Sequence, residues 1–413
     1  MENSIVRHIH EPETLERLYR NDPKGFRTSF EESYRDIASE PAAAFWKARL
    51  NHGNPVTGWG DRQDILVLAV LAAVAAFIVK TPHLFGVDEE TFYSRNLGFI
   101  AFPVLTAWFI HASGAGMKKA LIVSLPMLFS LLWINLLPKD SKSDTLVLAC
   151  LHLPLFLWSL TSWVFTDGGT DRLDDRRGYL KYSGDLVVMG TLLAMSGFIM
   201  TVVTIGLFKL IGLDIGEEYA RNVAIPLFAT LPLVSTWLVR SNPALVGKVS
   251  PVIARVFAPL VLITLFAFLL AFIGQGKDPF NDREFLVLFN GLLIGVLAIV
   301  FFSLTEASRE DGGRFRYGIL FALSVLTLIV NGIALSAISY RTFSMGVTPN
   351  RLAVTGANLL MFANLAVIAY DIWLSMNGKG RKSPDRSIAA FLPWYAGWTA
   401  VVVFLFPLIF GNR

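Results

Sequence analysis

Three aspartates in one polar segment are the residues of this chain best suited to holding a metal ion. Asp171, Asp174 and Asp175 are spaced so that their carboxylates could share one face of a helix. Membrane enzymes that act on Mg²⁺–diphosphate substrates need such a group. Neighbouring arginines would compete for the carboxylates, and the sequence has no second aspartate-rich motif. A metal-dependent intramembrane transferase is therefore an alternative, and a solvated ion-pair cluster is the simpler interpretation.

A second set of candidates consists of polar residues inside apolar segments. They are His152, Asn290, Asn331, Asn358, Asn364 and Asp371. An ionisable or strongly polar group at bilayer depth is by default a candidate functional residue. Asparagines in membrane helices also bond neighbouring helices to one another, at about 0.6–2 kcal/mol each. The set predicts a polar path through the molecule, with helix-to-helix hydrogen bonding as the alternative.

Helices must position these residues, because from about residue 62 the chain repeats one pattern of apolar segments and short polar loops. Hydrophobic residues make up 54% of the chain and charged ones 16%, whereas soluble domains are about 25% charged. A bilayer core of ~30 Å needs ~20 apolar residues per helix. We predict an all-α polytopic membrane protein with about eleven transmembrane helices, near residues 64–82, 96–113, 119–137, 145–166, 185–208, 222–239, 254–274, 284–305, 316–339, 350–374 and 388–410.

The charges of the loops predict the orientation. The predicted spans divide the loops between the two faces of the membrane. The loops on the same face as the N-terminus hold more Lys and Arg than the loops on the opposite face. Cytoplasmic loops carry such an excess, so we predict a cytoplasmic N-terminus and an outer C-terminus. The first sixty residues lack the apolar core of a cleavable signal peptide.

Cys150 is the single cysteine, which excludes cysteine-based metal sites, and we expect no cofactor.

Residues 1–61 form a separate predicted region, a cytoplasmic headpiece of short amphipathic helices ahead of the bundle at 62–413. Phe26, Phe30, Tyr34 and Trp46 follow helical spacing there and are candidates for binding a cytoplasmic partner. Acids offset the bases of this region, so it is not a polybasic lipid anchor. A cap docked on the bundle and a helix lying on the membrane are the alternatives. The scattered bases do not predict nucleic-acid binding.

Near the C-terminus, two arginines flank a predicted hairpin at the outer surface. Thr348 is suited to capping a helix whose first residue is Pro349. Gly346 can adopt the positive φ that a tight turn needs. Arg341 and Arg351 are candidates for contacting an anionic group. The alternative is that they bind headgroup phosphates or loop carbonyls.

Two stretches resemble known bacterial membrane proteins. The run from Arg341 through Gly346-Val347-Thr348-Pro349-Asn350 to Arg351 is similar to a signature of a widespread polytopic family, the domain of unknown function 4153. The runs 15–20 and 44–50 resemble the start of membrane proteins of the Bacteroidetes group. Both resemblances imply a polytopic bacterial membrane protein. Neither implies an activity or a catalytic residue.

Together these patterns favour a transporter-like or channel-like protein. A non-catalytic scaffold or sensor that recruits a partner through the headpiece is the second hypothesis, and the Asp171 transferase is the third. The sequence has no HExxH, Walker, CxxC or GxSxG motif, so we favour a non-catalytic protein and leave an enzyme open as the third hypothesis. The lipid bilayer is its expected partner.

Overall fold

The computed structural model is all-helical, and no strand occurs among the residues that it describes. Those residues are 2–21, 23–52, 62–138, 143–165, 172–241, 256–270, 283–307, 314–378 and 384–411. The chain divides into two compact units, Met1–Trp59 and Gly60–Arg413.

The first unit contains four helices. They are α1 (Glu2–Arg7), α2 (Pro12–Asn21), α3 (Pro23–Ile37) and α4 (Pro41–His52). Each of the last three begins with proline, whose fixed φ and missing N–H suit the first helical position. Their apolar faces meet in one core, which includes Leu15, Phe26 and Trp46. The helix α1 was not predicted from the sequence, and it adds Ile5 to the same core.

The second unit contains helices that overlap every predicted span. They are α5 (Arg62–Phe85), α6 (Glu89–Ala112), α7 (Met117–Leu136), α8 (Asp144–Phe165), α9 (Arg172–Leu210), α10 (Gly216–Ser241), α11 (Val256–Leu270), α12 (Arg283–Ala307), α13 (Arg314–Met345), α14 (Pro349–Met376) and α15 (Pro384–Phe410). Many large apolar side chains on them are exposed, among them Leu66, Phe77 and Met200. Such surfaces suit acyl chains and not water, so these helices form a membrane-embedded bundle.

Eight of the described helices are long and apolar enough to cross a membrane: α5, α7–α10 and α13–α15. The helix α6 has a similar length but carries Arg95, Asn96 and His111. The apolar stretches of α11 and α12 are shorter than these eight helices. They are Val256–Leu270 and Asn290–Leu304. The count of about eleven crossings therefore stays a prediction.

The helix α9 is longer than the predicted span at 185–208. Its 39 residues extend about 58 Å at ~1.5 Å per residue, roughly twice the thickness of a bilayer core. Its first turns, which carry Asp174 and Arg177, therefore lie beyond the hydrocarbon. Buried residues of α6–α10 form most of one apolar core, and residues of α11–α14 form most of a second. The helix α15 contributes Leu392 to the first and Ile388 to the second.

Candidate functional site

The predicted asparagines and Asp371 make hydrogen bonds between helices. Asn358 of α14 donates from Nδ2 to Oδ1 of Asn290 on α12, at 2.8 Å. Its own backbone carbonyl accepts from Nδ2 of Asn331 on α13, at 3.2 Å. Asn331 and Asn358 are almost completely buried. These bonds link α12, α13 and α14, as the alternative interpretation of the sequence expected.

Two further predicted polar residues on α14, Asn364 and Asp371, form hydrogen bonds with residues of α15. Asn364 is fully buried and donates from Nδ2 to the Tyr395 hydroxyl at 3.2 Å. Asp371, two turns further on, accepts a hydrogen bond from the Ser387 hydroxyl. The helices α14 and α15 are therefore joined by polar contacts at two levels.

The membrane bundle contains a cavity of about 350 Å³ at the place where α8, α9, α12, α14 and α15 meet. Most of its wall is apolar. Its lining residues are His152, Leu155, Trp158, Ser159, Leu180, Ile294, Leu297, Ala298, Phe301, Ala357, Met361, Ile388, Leu392, Tyr395, Ala396, Trp398 and Thr399. Along α15 the lining runs from Ile388 to Thr399, about 16 Å at ~1.5 Å per residue. A concave apolar site with a few polar groups is the usual form of a small-molecule site.

His152 is the one predicted polar-path residue among the lining residues of this cavity. Its Nδ1 lies 2.8 Å from the carbonyl oxygen of Leu148. A carbonyl can only accept, so Nδ1 carries the proton and Nε2 of the neutral ring is an acceptor. His152 therefore offers a hydrogen-bond acceptor to the cavity.

Two aromatic lining residues, Trp398 and Tyr395, carry hydrogen-bond donors. The Trp398 Nε1–H group is buried and has no hydrogen-bond partner among the described residues. The Tyr395 oxygen accepts from Asn364, which leaves its O–H to donate. No lysine, arginine or carboxylate is among the lining residues. The lining therefore suits an uncharged, apolar molecule better than an ion.

A glycine of α14 sets the position of the Trp398 ring. A Cβ placed on Gly356 would lie 2.0 Å from Cζ2 of Trp398. Non-bonded carbon atoms do not approach below about 3.5 Å without strain. Gly356 therefore allows the indole to lie directly against the backbone of α14, beside Ala357 in the cavity wall.

The cavity reaches the side of the bundle that faces lipid. Leu155 of α8 and Ile294 of α12 both line it, and their side chains are 54% and 59% exposed. Leu297, one turn from Ile294, is buried. The wall between α8 and α12 thus changes from lipid-facing to enclosed within one turn.

Ion pairs lie at the end of the cavity where α9 and α15 begin. Asp174 accepts from Arg177 and from Arg386, each at 3.0 Å. Arg177 also pairs with Asp385, whose side chain is 1% exposed. Two guanidinium groups therefore occupy the Asp174 carboxylate, in line with the expected competition by arginines.

Two of the three proposed metal ligands, Asp174 and Asp175, lie within the described residues. Asp171 lies outside the described residues. Asp175 is on α9 beside Asp174, and no third His, Cys, Asp or Glu joins them in the described part of the chain.

The hairpin between α13 and α14 has the predicted local structure. Thr348 accepts from the backbone N–H of Arg351, Pro349 begins α14, and Gly346 has φ +86°. Arg351 donates from Nη1 to the carbonyls of Met345 at 3.1 Å and Gly346 at 2.7 Å. It therefore caps the end of α13, as the loop-carbonyl alternative expected. Arg341 lies one turn earlier on α13, and its Nη1 is buried without a hydrogen-bond partner among the described residues.

A second capping arginine, Arg95 of α6, was not predicted from the sequence. It is 4% exposed. Its guanidinium donates to the carbonyls of Ile134 at 2.9 Å, Leu137 at 2.8 Å and Pro138 at 2.9 Å. Carbonyls at a helix C-terminus lack partners within the helix, and a cation there also meets the negative end of the dipole. The adjacent residue, Asn96, exchanges two hydrogen bonds with Asn135.

The headpiece aromatics pack inside their own unit. Phe26, Phe30 and Trp46 are 2–3% exposed, and Lys47 lies over the half-buried Tyr34 ring at 4.0 Å. A partner could reach the three buried rings only if the unit opened. Phe45, by contrast, is 61% exposed beside a groove between α2 and α4.

Comparison of the chain with family models, with curated proteins and with solved structures found no match. The two family resemblances therefore stay predictions from the sequence.

Proposed function

We propose that this protein is transporter-like and that its cavity binds an uncharged, lipid-like molecule. The observation that carries the proposal is the apolar cavity between α8, α9, α12, α14 and α15. Its volume is at the lower end of the ~300–1,000 Å³ that ligand sites span. One chain or a small ring system fits such a space.

The lining chemistry favours this ligand over an ion. Ion paths need charged side chains or rings of carbonyls that replace water. The asparagines that were predicted to supply a polar path are engaged in bonds between helices. The cavity wall is mostly apolar instead, so we infer a ligand with an uncharged, apolar body.

The opening between Leu155 and Ile294 supports entry from the bilayer. An apolar molecule is far more concentrated in lipid than in water, because removal of apolar surface from water stabilises it by about 25 cal/mol per Å². Lateral entry would also spare the ligand from crossing the polar ends of the bundle.

Photo-crosslinking tests the proposal. The purified protein in lipid nanodiscs is irradiated with a diazirine-bearing fatty alcohol, and the labelled residues are mapped by mass spectrometry. We expect labels on Met361 and Leu392, which line the cavity. Ala357→Phe places a ring in the space that the ligand would occupy and should lower their labelling about tenfold, which corresponds to a loss of roughly 1.4 kcal/mol of binding free energy.

Leu359→Phe is the matched control. It makes the same aromatic change two residues away on α14, at a side chain that is 56% exposed, and should leave the cavity labels unchanged. Labels confined to exposed side chains, or equal cavity labels in both variants, would contradict the proposal.

A further inference from the structure

The ion pairs at the start of α9 and α15 adjoin the cavity. Arg177 and Asp385 each lie three residues, one helical turn, before a lining residue, Leu180 on α9 and Ile388 on α15. The ion pair therefore joins the two helices directly below that end of the cavity. Ile388 is itself 2% exposed.

The burial of Asp385 is what distinguishes this ion pair from a surface one. Its side chain is 1% exposed, while that of Arg177 is 31% exposed. A buried carboxylate is retained only against a counter-ion, and removal of one partner leaves a strongly unfavourable charge. The partly exposed Arg177 can leave toward water, and Asp385 would then have to become hydrated. Separation of the pair and entry of water at this end are therefore coupled.

Further contacts hold the same junction. Arg386 pairs with Asp174 on α9 at 3.0 Å, and Ser387 donates to Asp371 of α14. Three successive residues of α15 thus bind α9 and α14 at the base of the cavity. These bonds join rigid helices through side chains only. They can break and form again while the helices stay folded.

We propose that the Arg177–Asp385 pair is the gate that closes the cavity on the side where α9 and α15 begin. The structure then represents a state that is open to lipid and closed to water on that side. This inference rests on the proposed function, because it assigns the regulation of the same cavity. Release of the ligand requires the pair to separate.

Thiol labelling tests the gate in the full-length protein. Cys150→Ala removes the single cysteine, and Ser159→Cys places a reporter in the cavity wall, where the native side chain is 5% exposed. A charged thiosulfonate reagent is added to membrane vesicles on the side of the ion pair. Asp385→Asn and Arg177→Gln should each raise the labelling rate about tenfold or more, since either leaves a buried polar group without its partner. Asp385→Glu, which keeps the charge, should label at close to the parent rate.

Arg221→Gln is the matched control. It removes an arginine from an exposed pair with Glu217 on α10 and should leave reporter labelling unchanged. If Asp385→Asn fails to fold, Arg177→Gln carries the test, because its guanidinium is partly solvated in the parent. Folded Arg177→Gln protein that labels at the parent rate would overturn the gate.

The two proposals can fail separately. Loss of cavity cross-links in Ala357→Phe together with unchanged thiol labelling would reject the gate and retain the lipid-like ligand. Faster thiol labelling in a protein that shows no cavity cross-links would retain the gate and reject the ligand.

Discussion

At the scale of single residues, the cavity wall includes a side chain that combines a buried polar atom with a close packing contact. Trp398 is the clearest case, since its indole N–H has no partner in the described chain and its ring lies against Gly356. The sequence shows both residues but not their contact, because they are on different helices. His152 was predicted from the sequence as a polar group at bilayer depth. The tautomer of its ring could not be predicted from the sequence, because it depends on the position of the Leu148 carbonyl.

The contact between Gly356 and Trp398 predicts the effect of one methyl group. Gly356→Ala places a Cβ about where the indole lies and should destabilise the protein by about 1–3 kcal/mol through overpacking. Thermal unfolding of the detergent-solubilised variant measures this loss. Gly397→Ala is the matched control, because a Cβ there meets no atom within 4 Å, and it should be neutral or slightly stabilising. Equal melting temperatures for both variants and the parent would show that the ring does not occupy this position.

At the scale of helices, the sequence predicted the segments well and their partners poorly. The Thr348–Pro349 start of α14 was predicted and is confirmed, because capping depends on residues adjacent in the chain. Arg95 was missed as a capping residue because the carbonyls that it binds belong to residues 134–138. The bonds among Asn290, Asn331 and Asn358 likewise depend on helix packing, which no local pattern specifies.

The capping role of Arg95 predicts a loss of stability on its removal. Arg95→Met keeps much of the side-chain length but leaves the last carbonyls of α7 buried without a donor. Hydrogen bonds to charged groups contribute about 1.5–3 kcal/mol, so a loss of at least that size is expected. Chemical or thermal unfolding in detergent measures it. Lys118→Met, at the exposed start of the same helix, should have little effect, and equal losses in the two variants would exclude a specific capping role.

At the scale of the whole molecule, composition and periodicity were sufficient for the class of protein. Apolar segments of about twenty residues predicted helices, and helices with exposed Leu, Phe and Met side chains are what the structure shows. The cavity could not be predicted, because five helices that are distant in the sequence contribute to its wall. The hypothesis of a polar path was based on residue type alone, and type does not distinguish an asparagine that bonds a helix from one that lines a channel.

The distribution of Lys and Arg predicts the orientation of the bundle. With a cytoplasmic N-terminus, a fluorescent protein fused ahead of residue 1 should fluoresce, and alkaline phosphatase fused after residue 413 should be active. The converse fusions serve as controls and should be inactive. An active phosphatase at the N-terminus would reverse the assignment and would place the Arg177–Asp385 pair on the outer side.

The most direct measurement of the central claim is an experimental density map of the protein in a lipid bilayer. We expect elongated, non-protein density between α8, α9, α12, α14 and α15, continuous with lipid at Leu155 and Ile294. A water-filled passage lined by Asn331, Asn358 and Asn364 would contradict this account and would restore the channel hypothesis.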